Sequence, residues 1–297
     1  MTFEHEIGSH DGLRMVKNYP SSNLTSFQIG GEIAYVLYPK TQSDLCEAVR
    51  LSIAYGLPYR IVGQGTNILA QDDPHNGVWI VTGDFCECAF SGHYVDVSAG
   101  ITLSKLIEDA SERGLSGIEN LYGIPGSVGG AVCMNAGAFG TQFSDLLVSV
   151  TVYDTEDDII RRLGYEDCEF QYRESVFQSE RYAILGATLR LGNSRTDLVR
   201  SRMERVMKKR VESQPLDLPS AGSVFKRPAG AYAGKLISEC GLSGKEIGGA
   251  MVSLKHAGFI VNKGGATGAD VRALIQLIMT TVYEKTGVLL TPELLIL

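Results

Sequence analysis

Nothing in this 297-residue chain has the length and apolarity of a bilayer span: no uninterrupted apolar run reaches the roughly 18 residues one needs. An excess of basic charge is also missing. Lys and Arg number 27 against 34 Asp and Glu, a formal charge of −7, which argues against non-specific binding to nucleic acid or to an anionic membrane, although a local basic patch can still hold a phosphate. The five histidines (His5, His10, His75, His93 and His256) do not cluster, and Cys86-x-Cys88 has no second Cys/His pair at zinc spacing, so no metal site is expected. The other cysteines are Cys46, Cys133, Cys168 and Cys240. In a chain of this length they read as scattered free thiols. The opening MTFEHEIGSHDG is acidic and lacks the basic-then-apolar order of a signal peptide. The expectation is a cytoplasmic monomer with no nucleic-acid or membrane partner.

What is present is an ordinary globular composition, 44% hydrophobic and 21% charged, in a chain of about two domains' length. Strand-like runs lie at 33–38, 59–62 and 78–81, with a helical pattern over 43–55 stopped by Gly56; together they suggest a β-α-β unit. Further runs at 94–98, 148–153 and 183–191 flank a helix that starts at Thr102 and carries Leu103, Leu106, Ile107 and Ala110. This is an α+β pattern and not a repeating βαβα one. Residues 196–210 read as a helix with Val199, Met203 and Val206 on one face, ending in the basic run Lys208, Lys209 and Arg210. A linker then runs from Gln214 to Pro219. The clearest helix starts at the capping box Thr267-x-x-Asp270, buries Val271, Leu274, Ile275, Ile278 and Val282, and stops at Gly287.

The 34 glycines bunch, and two bunches point to a ligand. Gly63-Gln64-Gly65-Thr66-Asn67 follows a strand. It lacks the third glycine and the long helix of a Rossmann fingerprint. Its turn amides, with Thr66 and Asn67 as donors, still suit a diphosphate. The second run, Gly123-Ile124-Pro125-Gly126-Ser127-Val128-Gly129-Gly130, continues to Asn135-Ala136-Gly137. Pro125 fixes a turn, and the glycines strip away side chains, which suits a surface laid against a flat ring. Gly230-Ala-Tyr-Ala-Gly234-Lys235-Leu236 imitates a P-loop, but it is one residue short and has Leu236 where the magnesium-binding Ser/Thr belongs.

With these runs in place the chain resembles the flavin-dependent UDP-N-acetylenolpyruvoylglucosamine reductases of peptidoglycan synthesis. The likeness begins at Asn23-Leu-Thr-Ser-Phe-Gln-Ile-Gly-Gly31 and takes in both glycine runs. It continues through Tyr172-Arg173-Glu174-Ser175, Pro219-Ser-Ala-Gly-Ser-Val-Phe-Lys226 and Lys255-His-Ala-Gly-Phe-Ile-Val-Asn262, and closes at Pro292-Glu293. The short gap between Arg173 and Ser223 is similar to the compact second type of the family. The chain departs from the family pattern at Arg227, where members often have asparagine, and in the tail Leu-Leu-Ile-Leu after Glu293, where a basic residue is common.

The resemblance implies an α+β fold with a two-part FAD-binding region of the vanillyl-alcohol-oxidase (PCMH) type, 1–82 and 83–213, followed by a smaller α+β substrate-binding domain, 214–297, whose tail returns to the flavin. It implies FAD as cofactor, NADPH as co-substrate and a UDP-sugar as substrate, with a place in cell-wall biogenesis and hence in cell shape and division. The FAD contacts it implies are Gly63, Gln64, Gly65, Thr66, Asn67, Gly123, Pro125, Gly126, Ser127, Gly129, Gly130, Asn135, Ala136 and Gly137. Its substrate contacts are Tyr172, Lys226, Arg227, Lys255 and His256. Its catalytic residues are Arg173, a forked cation for the substrate carboxylate, Glu293, which polarises the developing enolic acid, and Ser223, which follows the small Ala221-Gly222 and gives a proton to carbon. Two alternatives stay open: a flavin oxidase of the same fold acting on a small alcohol or sugar, and a flavin-binding protein without turnover.

Overall fold

The helix Gln42–Ala54 begins where local chemistry sets it: Thr41 Oγ1 accepts the Asp44 amide at 3.2 Å while Asp44 Oδ2 accepts the Thr41 amide at 2.9 Å. The computed structural model describes residues 2–297. The helix buries Leu45, Cys46, Ala48 and Val49 in a core shared with Leu37, Val78 and Ile80. The adjoining sheet runs Leu13–Pro20, Glu32–Pro39, His75–Val81, Tyr59–Val62 in that order, its last two strands parallel. The strand–helix–strand segment expected over 33–62 therefore forms.

A second core belongs to a five-stranded sheet of order Ile159–Gly164, Leu147–Asp154, Tyr182–Arg190, Tyr94–Ser98, Cys88–Ser91, antiparallel throughout. The helix Leu103–Glu112 packs into this core, capped by Thr102, with Leu103, Leu106, Ile107 and Ala110 buried as the spacing predicts. The helix Thr196–Ser213 buries Val199, Met203 and Val206. It runs three residues past the basic run expected to end it. Arg210 is turned inward at 5% exposure, and desolvation pushes its pKa down to about 10, so it does not act as a solvated terminal cation.

The last long helix, Gly268–Thr286, has the expected capping box: Thr267 Oγ1 accepts the Asp270 amide at 3.1 Å and Asp270 Oδ2 accepts the Thr267 amide at 3.0 Å. Its stripe of Val271, Leu274, Ile275, Ile278 and Val282 is buried, and Gly287 closes it at φ 72°. Against it stands a three-stranded antiparallel sheet of Glu246–Ile247, Ala250–Val252 and Ile260–Asn262.

By its contacts the chain divides into two units. The first holds residues 1–17, 34–64 and 76–209; the second holds 18–33, 65–75 and 210–297. Two early segments join the C-terminal one because their apolar residues have nowhere else to go. Phe27, Ile29 and Leu69 lie in the same core as Leu274 and Ile278, and Asn262 Nδ2 donates to the Phe27 carbonyl at 3.1 Å. The first unit carries two cores, one for each of its two larger sheets.

Candidate active site

In the first unit the strand Tyr59–Val62 delivers Gly63 directly onto Ser127. A Cβ at position 63 would stand 2.1 Å from Ser127 Oγ. Ser127 is 2% exposed and caps the short helix Val128–Cys133, its Oγ accepting the Gly130 amide at 3.2 Å. The next amides are anchored as well: Val128 donates to the Ile101 carbonyl at 2.8 Å and Gly129 to the Ala99 carbonyl at 2.9 Å. Packing thus accounts for the lack of a side chain at Gly63, and at Gly129, where a Cβ would come within 3.0 Å of Ala99 Cβ. It does not account for Gly130. That residue is exposed, and a Cβ there meets nothing nearer than Ser127 Oγ at 3.6 Å. Gly123, Pro125 and Gly126 lead into the same helix, with the Gly126 carbonyl accepting the Leu103 amide at 2.9 Å. Bare backbone kept open toward solvent beside an anchored turn fits a flat ligand arriving from outside.

Downstream, the carbonyls of residues 133, 135 and 137 form a row of acceptors for one motif. Ser175 Oγ donates to the Cys133 carbonyl at 2.6 Å, Arg173 Nη1 to the Asn135 carbonyl at 3.3 Å and Arg173 Nη2 to the Gly137 carbonyl at 2.9 Å. Arg173 stands at the tip of a tight turn closed by reciprocal hydrogen bonds between Gln171 and Glu174, at φ 60°. A left-handed arginine is strained by about 1 kcal/mol or more, and the two carbonyls aim its guanidinium. Tyr172 is exposed, with the Arg173 guanidinium 5.3 Å from its ring centre. Asn135, expected to contact the cofactor, gives its side chain to the protein. Nδ2 donates to the Gln171 carbonyl at 3.0 Å, and Oδ1 accepts the Ser144 amide at 3.1 Å. Gln178, which the sequence did not single out, donates to the Arg173 carbonyl at 2.9 Å.

The second unit holds further residues of the expected set. Gly65 sits at φ 60° with its Cβ position 1.9 Å from the Leu24 carbonyl oxygen, so only glycine fits. Its carbonyl accepts the Ser26 amide at 3.1 Å, and that of Asn67 accepts the Leu295 amide at 3.0 Å, so two oxygens that would repel an anion face protein donors. Asn67 Nδ2 reaches the Glu293 carbonyl at 3.2 Å. The tail strand Leu295–Ile296 lies parallel to Ile68–Leu69. The tail thus lies beside Asn67 and the strand that follows it.

Ser223 is exposed on a short extended segment held on both sides. It bridges Phe259, Phe225 bridges Pro292, and the Lys226 amide donates to the Thr291 carbonyl at 2.9 Å. The Glu293 amide donates to the Val224 carbonyl at 2.7 Å, so Ser223 and the half-buried Glu293 lie on adjoining, backbone-bridged segments.

The expected basic contacts fare unevenly. The Arg227 guanidinium stacks 4.0 Å from the centre of the exposed Tyr232 ring. Lys255 Nζ donates to the Val211 carbonyl at 2.5 Å. His256 accepts the Gly258 amide at Nδ1 (3.1 Å), and burial lowers its pKa, so it is neutral at neutral pH and supplies no positive charge. The P-loop look-alike forms the seven-residue helix Ala233–Glu239 with Lys235 3.7 Å from Glu239, and no strand leads into it. Among the described residues no cluster of metal-ligating side chains occurs, and no helix is long and apolar enough to cross a membrane.

Comparison with known proteins supplies the class. Residues 214–297 match the family model for the UDP-N-acetylenolpyruvoylglucosamine reductase C-terminal domain, and residues 33–164 match that for an FAD binding domain. The chain is 42% identical over 284 residues to the UDP-N-acetylenolpyruvoylglucosamine reductase of Caldicellulosiruptor saccharolyticus, covering 95% of this chain and 91% of that one. It is 38% identical over 297 residues to the enzyme of the same name from Clostridium botulinum, covering 100% and 96%. Among solved structures, the UDP-N-acetylenolpyruvylglucosamine reductase of Thermus caldophilus superposes with a TM-score of 0.80 at 33% identity, covering 96% of this chain and 98% of that one. BBE-like 1 of Physcomitrella patens matches 65% of this chain and 45% of its own at a TM-score of 0.51 and 14% identity, a likeness of fold alone.

Proposed function

Because this chain belongs to the UDP-N-acetylenolpyruvoylglucosamine reductase family, we propose a division of labour among its residues for that reaction. The protein is an FAD oxidoreductase that reduces the enolpyruvyl ether of UDP-N-acetylglucosamine to the lactyl ether of UDP-N-acetylmuramate, at the expense of NADPH, in peptidoglycan precursor synthesis. FAD, when bound, supplies the hydride. The residues proposed to hold it are the bare run 123–130 and the run Gly63, Gln64, Gly65, Thr66 and Asn67. Gly130 is the observation that favours this use, since nothing inside the protein explains its missing side chain.

The chemistry the residues must perform follows from the substrate. A plain alkene does not accept hydride; one conjugated to a carboxylate does, because charge spreads into an enediolate. Arg173 is proposed to bind that carboxylate. Two of its five N–H bonds go to the Asn135 and Gly137 carbonyls, which orient the fork before substrate arrives. Glu293 is proposed to share the developing charge as a protonated acid or through a water. Ser223, on the adjoining segment, is proposed to donate its hydroxyl proton to the neighbouring carbon. A serine hydroxyl is a weak acid, and only a carbanionic acceptor makes it competent. Arg227, stacked on Tyr232, is the cation proposed for the substrate diphosphate, with Lys226 beside it; Tyr172 completes the set beside Arg173. The compact second type of the family, a cytoplasmic location and a consequent role in cell shape and division belong to the same reading.

The test is direct. The purified chain is expected to be yellow, to consume NADPH slowly alone and rapidly with the enolpyruvyl sugar nucleotide. A folded, colourless preparation that refuses added FAD sinks the reading. Rapid reoxidation of reduced flavin by oxygen, with no response to the enolpyruvyl ether, turns it into an oxidase.

A further inference from the structure

We propose that Asn135 is a positioning residue that couples the glycine-rich helix to Arg173. The proposal rests on the assignment of Arg173 to the substrate carboxylate. Asn135 is 2% exposed and stands at φ 40°, where most side chains are strained and asparagine is tolerated. All its polar groups have work within the first unit. Its amide donates to the Val132 carbonyl at 3.1 Å, which closes the end of the helix Val128–Cys133. Its Oδ1 takes the Ser144 amide at 3.1 Å. Its Nδ2 donates to the Gln171 carbonyl at 3.0 Å, with Gln142 Oε1 at 3.4 Å. Its own carbonyl receives Arg173 Nη1 at 3.3 Å.

Two of these bonds act on Arg173 from different directions. The carbonyl touches the guanidinium. The side-chain amide grips Gln171, the first residue of the turn whose tip is Arg173. The turn is four residues long and its strained tip has no regular sheet behind it, so a grip at Gln171 fixes where the arginine emerges. The side chain is thereby engaged within the protein, and its effect on the reaction passes through Arg173. Loss of the grip frees the turn without removing any group that meets flavin or NADPH.

Two variants test this. Asn135→Gly keeps the left-handed backbone and the carbonyl while removing the side-chain bonds; Asn135→Asp keeps the shape and the acceptor for Ser144 while removing the donor to Gln171. In stopped-flow measurements on flavin-saturated enzyme, reduction by NADPH is expected at near-native rate. Reoxidation by the enolpyruvyl substrate is expected to slow by about 10- to 100-fold, the range a displaced reacting group costs. In an Arg173→Ala background the same changes are expected to add almost nothing, since their target is gone. Equal loss in both half-reactions, or additivity with Arg173→Ala, makes Asn135 merely structural and overturns the proposal. A native reoxidation rate in whichever Asn135 variant folds overturns it too. If Arg173→Ala itself reoxidises at the native rate, the assignment of Arg173 fails first, and this inference falls with it.

Discussion

The amide of Glu293 donates to the carbonyl of Val224 at 2.7 Å, which places the tail acid one residue along from Ser223. Residues 70 positions apart are thus held by backbone, and the alcohol can be altered without disturbing the acid. Ser223→Ala is expected to leave flavin reduction by NADPH near native and to slow reoxidation by the enolpyruvyl ether by about 10²- to 10⁴-fold, the usual size of a general-acid contribution. Rapid-reaction absorbance of the two half-reactions measures this. Equal survival of both removes Ser223 from proton transfer.

Arg173→Lys keeps the charge and discards the fork. Lysine cannot reach the Asn135 and Gly137 carbonyls with two coplanar donors while presenting others to a carboxylate. The reoxidation rate is expected to fall by about 10²-fold, as in the loss of a preorganised donor, with circular dichroism and melting temperature little changed. Near-native turnover by the lysine enzyme contradicts the bidentate role.

The glycines separate into two kinds, and alanine distinguishes them. Gly63→Ala drives a methyl into Ser127 Oγ, 2.1 Å away, and is expected to lower both melting temperature and FAD content. Gly130→Ala meets no protein atom closer than 3.6 Å and sits in a helix. There alanine is expected to raise stability by up to about 0.5–1 kcal/mol while weakening FAD binding. Thermal melts paired with FAD titrations separate the two effects. Gly130→Ala that binds FAD with native affinity shows that the open face at 130 is not part of the cradle.

Much of this was legible in the chain because local rules wrote it. The Thr102 and Thr267 caps, the Gly287 stop and the apolar stripes follow from spacing within one helix. The motif Tyr172–Ser175 could be quoted from the sequence, yet its partners could not. The row of carbonyls at 133, 135 and 137 becomes an acceptor for Arg173 and Ser175 only once a distant turn is folded against it. The partners of Asn135 were hidden for the same reason: it lies in a glycine-rich run, and nothing local says that its amide faces Gln171. The helix beyond Arg210 and the joining of 18–33 and 65–75 to the C-terminal unit were illegible because burial against remote residues decides them. Gln178 carries no signal in the sequence, since one exposed glutamine resembles another.

Acid stability offers a check on the scaffold that does not depend on the chemistry. Asp154 ends the strand Leu147–Asp154, next to the central strand of its five-stranded sheet, with no exposed surface, between two arginines. Arg181 donates from Nη2 at 2.9 Å and Arg161 from Nε at 2.9 Å. These hydrogen bonds, those of Arg181 above all, hold its carboxyl down to a pKa of about 2. The folded pKa lies below the unfolded one, so the ionised form contributes stability that is complete above the ordinary aspartate range near pH 4. That stability is lost as pH falls from there through about 2. Asp154→Asn removes the charge at every pH and leaves Arg161 and Arg181 without their buried anion, with only the more exposed Asp157 and Glu156 beside them. The variant is expected to melt well below the parent at neutral pH, with the gap narrowing steadily below about pH 4. Asp158 and Asp270, also held below the ordinary range by their partners, keep part of the acid sensitivity in both proteins. Melting temperatures of the pair between neutral pH and pH 2.5 decide the matter, because a gap that stays constant over that range means that Asp154 stabilises the sheet by shape and not by charge.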